Sequence, residues 1–200
     1  RTVKWLAENR AGLGYDLHSR FTEDIWYGST KFRATNGGKT MCVAAVFEVL
    51  LRTIANARTS DGEPATDLLT PRPLGGSSAL ALQPYVFQYR SNATFSEYGR
   101  KFSAGAGDAF VLFGIGRYVT FQEAKQGDFL YFNRTKGGGH AVIFMGFLDA
   151  SGKLSDSAGS AIGFRYFSAQ QGGTTGMGFR DAFFGACPSV QTDFKKDCGL

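Results

Sequence analysis

The chain has 200 residues, of which 43% are hydrophobic and 14% aromatic, and it carries a formal net charge of +5. A chain of this size and composition can bury about 70% of the surface that its unfolded form exposes, which excludes a disordered protein and favours one domain spanning 1–200. Its basic residues are scattered, which argues against nucleic-acid binding, and no run reaches the roughly 18 apolar residues of a membrane-spanning helix.

The first half of the chain predicts a short helix, a long helix and a surface connection. The segment TVKWLAENR at 2–10 suits a short helix, and apolar residues recur at helical spacing across 40–58, at positions 43, 46, 47, 50, 51 and 54. Thr40 is the predicted N-cap of this long helix, which places Cys42 in its first turn. Residues 59–79 collect Pro, Gly, Ser, Asp and Thr, and we interpret them as a surface insertion or lid.

The second half of the chain predicts an antiparallel sheet. Four apolar, aromatic-rich runs bounded by Gly, Asp and Asn are typical of strands: 107–116, 127–133, 140–149 and 163–171. The segment FSEYGRKF suits a helix that ends near Gly105, and TFQEAKQ suits a helical turn. This order predicts an α+β domain in which the long helix packs on one face of the sheet.

The three cysteines are too few for a disulfide scaffold, and they lack the spacing of metal ligands. Cys187 and Cys198 lie close together in a polar tail, 186–200, and can form a disulfide if the protein works in an oxidising compartment. Cys42 stays free in either case. His18 is interpreted as a surface residue, and the sequence predicts neither a metal nor a cofactor.

Cys42 and His140 form the predicted catalytic pair. A thiol near a helix N-terminus is favoured as thiolate by the unpaired N–H groups there, and an imidazole can take its proton and return it to a leaving amine. His140 opens a strand after three glycines. Gln170 shares a strand face with Ser168 and is predicted to orient the imidazole, with Gln171 as the alternative.

Three segments together resemble the papain-like amidases of the NlpC/P60 and CHAP groups: GGKTMCVAAVFEVLL, QGDFLYFNRTKGGGHAVIFMGF and FRYFSAQQGG. In those families a cysteine opens a helix and a histidine opens a strand that follows a GDxxxF strand. The match covers roughly half of the chain. It departs from the NlpC/P60 pattern in two respects, because TMCVAA replaces DCSG around the cysteine and the third residue is Gln.

The resemblance implies a papain-like fold, with the catalytic helix packed on an antiparallel sheet, and hydrolysis of amide bonds in peptidoglycan. Some relatives are effectors delivered by type VI secretion into the periplasm of rival bacteria, which implies a secreted or periplasmic monomer and an immunity protein as a partner. Tyr27 corresponds to a tyrosine that approaches the NlpC/P60 active site. Asn36 is a candidate donor to the oxyanion, beside the Cys42 backbone N–H.

Two alternatives use the same residues differently. The same Cys–His pair in a papain-like protease or deamidase can attack a carboxamide of a protein substrate. A binding module can keep the fold without the chemistry and hold a cell-wall fragment in its glycine-rich cleft. Cysteine is among the most buried residue types, so an inert Cys42 fits the second alternative.

Overall fold

A long helix packed against a sheet organises the described part of the chain. The computed structural model describes residues 1–27, 30–57, 60–63, 86–87, 106–112, 114–134, 139–171 and 176–200. The helices in these ranges are α1 (Thr2–Arg10), α2 (Cys42–Ala55) and α3 (Ala106–Leu112). The strands are β1 (Ile25–Tyr27), β2 (Thr30–Phe32), β3 (Phe129–Asn133), β4 (Gly139–Leu148), β5 (Leu154–Ser155), β6 (Gly163–Gln170), β7 (Gly176–Phe183) and β8 (Lys196–Cys198).

The main sheet has the strand order β3-β4-β6-β7-β8 within the described ranges, and β5 pairs with β4. Its neighbours are antiparallel except for β7 and β8, which run parallel. Strands β1 and β2 form a separate antiparallel pair. The α+β class predicted from the sequence is therefore confirmed.

The two faces of the main sheet carry different clusters. Ala141 and Ile143 of β4 join the core formed with the apolar residues of α2, because α2 packs against β4 and β6 on this side. Val142 and Phe144 point the other way and pack with Phe164 and with aromatic residues that include Phe121 and Phe132. Because side chains alternate along a strand, successive residues at the start of β4 point to opposite faces of the sheet.

Two elements differ from the sequence-based predictions. The run at 107–116 was predicted as a strand, but α3 occupies Ala106–Leu112, because Ala106, Ala109 and Phe110 are buried at helical spacing against α2 and β3. Strand β7 was not predicted, since its glycines and its charged residues Arg180 and Asp181 conceal the strand pattern.

The predicted N-cap of α2 is also wrong. Met41 holds the N-cap position in an extended conformation and makes no side-chain cap hydrogen bond. The Thr40 hydroxyl donates instead to the Arg20 carbonyl at 2.7 Å. The turn TFQEAKQ contains the expected helical turn at Phe121–Glu123, which is capped by Thr120.

Two predicted segments lie wholly or largely outside the described residues. The predicted insertion at 59–79 is described only at 60–63, and the predicted helix at 95–102 lies outside the described residues. The polar tail 186–200 is described, and it contributes β8 to the edge of the main sheet.

A buried carboxylate joins α2 to the segment before β1. Glu48 is fully buried, and it accepts hydrogen bonds from the Thr22 backbone N–H (2.9 Å), the Thr22 hydroxyl (2.6 Å) and Arg52 Nε (2.9 Å). We expect Glu48→Ala to lower the free energy of unfolding by about 3 kcal/mol, because it leaves buried donors without their acceptor. Urea unfolding measures this change.

The matched control is Glu8→Ala on α1. The Glu8 side chain is 60% exposed, and its contact with Lys4 is 3.9 Å long, so its removal is expected to change stability by less than about 0.5 kcal/mol. Equal losses in the two variants would show that the Glu48 contacts contribute nothing specific.

Candidate functional site

Cys42 begins α2 and is the one free cysteine of the chain. The other two cysteines, Cys187 and Cys198, are joined by a disulfide, so the bond that the sequence left open is formed. The first turn of α2 has no side-chain cap, so its backbone N–H groups are directed at the space before the helix. The Cys42 side chain is buried, with a relative exposure of 8%.

His140 lies on β4 with its ring packed against two aromatic side chains. Its ring centroid is 5.7 Å from that of Phe132 and 5.6 Å from that of Tyr166, in edge-to-face geometry. Its Nε2 atom is buried and has no hydrogen-bond partner within the described residues. Burial, together with the positive charge of the neighbouring Arg134, lowers the pKa of His140 from 6.5 to about 3, so the imidazole is neutral at pH 7.

A polar network lies beside the imidazole. Arg134 donates two hydrogen bonds to Asp197, from Nε at 3.2 Å and from Nη2 at 2.6 Å. The Tyr166 hydroxyl lies 2.7 Å from Asp197 Oδ2 and 3.2 Å from Gln170 Oε1. Because a hydroxyl carries one proton, Tyr166 donates to the closer, charged carboxylate.

Charge pairing in this network shifts two pKa values. Burial raises the pKa of Asp197, but the hydrogen bonds from Arg134 and Tyr166 outweigh burial and hold the pKa below its ordinary value. Burial and the Asp197 carboxylate together raise the pKa of Tyr166. Both groups therefore keep their usual neutral-pH forms, an anion and a neutral phenol.

His140 and Gln170 line one cavity of about 390 Å³. The other lining residues are Tyr15, Arg134, Gly139, Gln171, Arg180, Lys195, Lys196 and Asp197. Four cations and one carboxylate thus surround a neutral imidazole, which makes the cavity basic. Gln170 is buried, with a relative exposure of 7%, and its Nε2 atom has no partner within the described residues.

Cys42 does not line this cavity. Helix α2 packs on the sheet face that carries Ala141, whereas the His140 ring contacts the residues of the opposite face. Tyr15 lines the cavity, and its backbone pairs with Thr40, two residues before Cys42, so the start of α2 lies on the Tyr15 side of the cavity. No hydrogen bond joins the thiol to Nε2 of the imidazole within the described ranges.

The remaining predicted residues have other surroundings. Gln170 Oε1 faces the Tyr166 hydroxyl, so the predicted hydrogen bond to the imidazole is not formed, and Gln171 is exposed at the cavity. Asn36 donates to Ser19 Oγ at 3.0 Å, away from the cavity. Tyr27 ends β1, and its side chain lies outside the described part of the chain. His18 is exposed.

The sequence-based argument missed Arg134, Tyr166 and Asp197. Only Tyr166 left a signal, since it precedes Gln170 by four residues and therefore shares its strand face. Asp197 lies 63 residues from Arg134, and β8 brings the two together by adding to β7. No local pattern encodes that contact.

A larger cavity of about 1110 Å³ lies between α3 and β3. Its lining includes Phe110, Tyr118 and Tyr131, and it contains none of the predicted site residues. Of the residues described, no group of three or more His, Cys, Asp or Glu is placed to hold a metal ion. No helix in the described ranges has the length and apolar character to cross a bilayer.

Comparison with models of known protein families gave no match, and comparisons with curated proteins and with solved structures gave none either. The protein is therefore described by its own fold and site. It is an α+β domain with a basic cavity, lined by the His140 imidazole, at one end of its sheet.

The low pKa of His140 predicts a loss of stability in acid. Between its ordinary pKa of 6.5 and the folded value of about 3, the unfolded chain binds a proton that the folded protein excludes. This residue therefore lowers the free energy of unfolding by about 1.4 kcal/mol for each unit of falling pH in that window. Urea unfolding between about pH 4 and pH 7 measures the slope.

His140→Asn provides the control, because it removes the titrating group and leaves Arg134, Arg180 and Asp197 in place. Its stability is expected to depend less steeply on pH than that of the wild-type protein. Parallel pH profiles for the two proteins would mean that the folded imidazole titrates normally.

Proposed function

We propose that this chain is a papain-like cysteine hydrolase that cleaves amide bonds in bacterial cell-wall peptidoglycan. One observation carries the proposal: the chain's one free thiol begins α2 two residues after Thr40, whose backbone pairs with a residue of the cavity that a neutral imidazole lines. Tyr15 and Thr40 connect the two through their paired backbones.

The proposed reaction needs no group beyond these side chains and water. The Cys42 thiol transfers its proton to Nδ1 of His140, and the sulfur attacks the carbonyl carbon of the scissile amide. The imidazolium then protonates the leaving amine, and a thioester remains on Cys42. Water, deprotonated by the imidazole, hydrolyses the thioester and restores the thiol.

One feature supports the proton transfer: the uncapped first turn of α2 favours the thiolate. The lowered pKa of His140 makes the resting imidazole a weak base, so the proposal requires substrate binding to raise that pKa. The proposal requires the Cys42 and His140 side chains to turn toward each other around the end of the sheet when substrate binds. Edge-to-face contacts with Phe132 and Tyr166 orient the ring in its resting position.

Charge and redox state support the substrate class and the compartment. Peptidoglycan stem peptides are rich in carboxylates, and the cavity presents four cations and one carboxylate. A disulfide between Cys187 and Cys198 suits an oxidising space such as the periplasm, where a thiol kept free is available for catalysis. Delivery as a secreted effector, and an immunity protein that covers the cavity, belong to the same proposal.

Digestion of purified sacculi tests the proposed function. Mass spectrometry is expected to find new amine and carboxyl termini in the stem peptides, and no new termini when a protein mixture replaces the sacculi. Cleavage of the protein mixture alone would favour the protease alternative. The Cys42→Ala chain must lose the activity in either case.

The second candidate function is a binding module for cell-wall fragments. It is favoured by the low exposure of Cys42 and by the absence of Cys42 from the cavity lining. Iodoacetamide distinguishes the candidates, because an activated thiolate reacts well below pH 8 whereas a buried structural thiol does not.

A further inference from the structure

Two buried nitrogen atoms of the cavity lack partners in the described part of the chain. They are Nε2 of His140 and Nε2 of Gln170, on side chains whose relative exposures are 5% and 7%. Leaving a buried polar group without a partner is unfavourable, and a bound acceptor would remove that cost for both atoms of this cavity.

The charges around these atoms specify an anion. Arg134, Arg180, Lys195 and Lys196 line the cavity, and the single carboxylate, Asp197, is already bonded to Arg134 and Tyr166. Both Arg134 and Arg180 lie close enough to His140 to lower its pKa. The lining therefore carries more positive than negative charge.

We propose that the cavity binds a carboxylate of the peptide substrate, held by Gln170 and His140. The Gln170 amide donates one N–H to the carboxylate, and the imidazole donates another in its Nε2-protonated tautomer. Arg180 and Lys195 supply the attractive charge. The identity of the peptide rests on the proposed function, but the anion site itself does not.

In this arrangement the bound substrate fixes the tautomer of His140 and raises its pKa. Protonation at Nε2 leaves Nδ1 as the atom that can accept the thiol proton. A bound carboxylate also stabilises the imidazolium, because an opposite charge within hydrogen-bond distance favours the charged form. A peptide without that carboxylate is therefore bound weakly and cleaved slowly.

Histidine-ring NMR of the Cys42→Ala chain tests the proposal without turnover. The probe is a peptidoglycan stem tripeptide with free carboxylates, and the comparison is the same tripeptide with its carboxylates amidated. The sequence has two histidines, so exposed His18 serves as the internal reference. We expect the free tripeptide to shift the His140 signals and raise its pKa, and the amidated form to bind at least about tenfold more weakly.

Gln170→Met removes the amide donor while keeping a side chain of similar length, and it is expected to weaken tripeptide binding about tenfold. Gln122→Met, at an exposed position in the turn Phe121–Glu123, is the matched control and should bind as tightly as the parent chain. A fold check by circular dichroism accompanies each variant.

Three results would overturn the inference: equal affinity for the amidated tripeptide, tighter binding of inorganic phosphate than of the free tripeptide, or no effect of Gln170→Met. If the tripeptides bind as expected but the protein leaves sacculi intact, the proposed hydrolase activity is refuted and the carboxylate site is not. Hydrolysis of free and amidated substrate at equal rates would refute the carboxylate site alone.

Discussion

Cys42→Ala is expected to lower the proposed amide hydrolysis by about a thousandfold or more, since it removes the proposed nucleophile and leaves only binding interactions to assist the reaction. The change deletes a single sulfur atom at the start of α2, so the fold should survive. Release of stem-peptide fragments from sacculi, measured at enzyme concentrations spanning three decades, determines the size of the loss.

Val43→Ala is the matched control for this prediction. Val43 follows Cys42 on α2 and packs partly against the core, so its truncation disturbs the same helix turn without touching the thiol. We expect it to retain most of the activity. Comparable losses in the two variants would show that activity depends on the integrity of the turn, and residual activity in Cys42→Ala above about a tenth would exclude Cys42 as the nucleophile.

The double variant Cys187→Ser, Cys198→Ser is expected to lose both stability and the binding of the stem tripeptide in the cavity. The disulfide closes a loop with a sequence separation of 11, and loops near this length are worth about 3 kcal/mol. It also holds β8 against β7, where Asp197 meets Arg134 and Tyr166 and where Lys195 and Lys196 line the cavity.

Urea unfolding and tripeptide binding measure these two losses separately. The wild-type protein in reductant should behave like the double variant, because both lack the same bond. Ser189→Ala, an exposed change inside the loop, should match the wild-type protein in both assays. Unchanged tripeptide binding after loss of the disulfide would show that β8 stays in place by its own contacts.

The sequence was sufficient for the elements whose periodicity is unambiguous. Apolar residues at helical spacing predicted α2, and apolar, aromatic-rich runs bounded by Gly, Asp and Asn predicted β3, β4 and β6. The same method failed at α3, where a short apolar run fits a helix or a strand equally well. It also failed at β7, where the buried charges Arg180 and Asp181 interrupt the expected pattern.

For the site, the sequence by itself singled out Cys42 and His140 as candidates, because a cysteine at a helix start and a histidine at a strand start are local features. It also placed Gln170 near His140, since the ends of adjacent antiparallel strands meet. Only the tertiary structure decided their partners. The Arg134–Asp197 pair, the orientation of Gln170 toward Tyr166 and the sheet face that His140 occupies depend on β8 and on strand pairing, which are contacts between distant residues that local patterns do not encode.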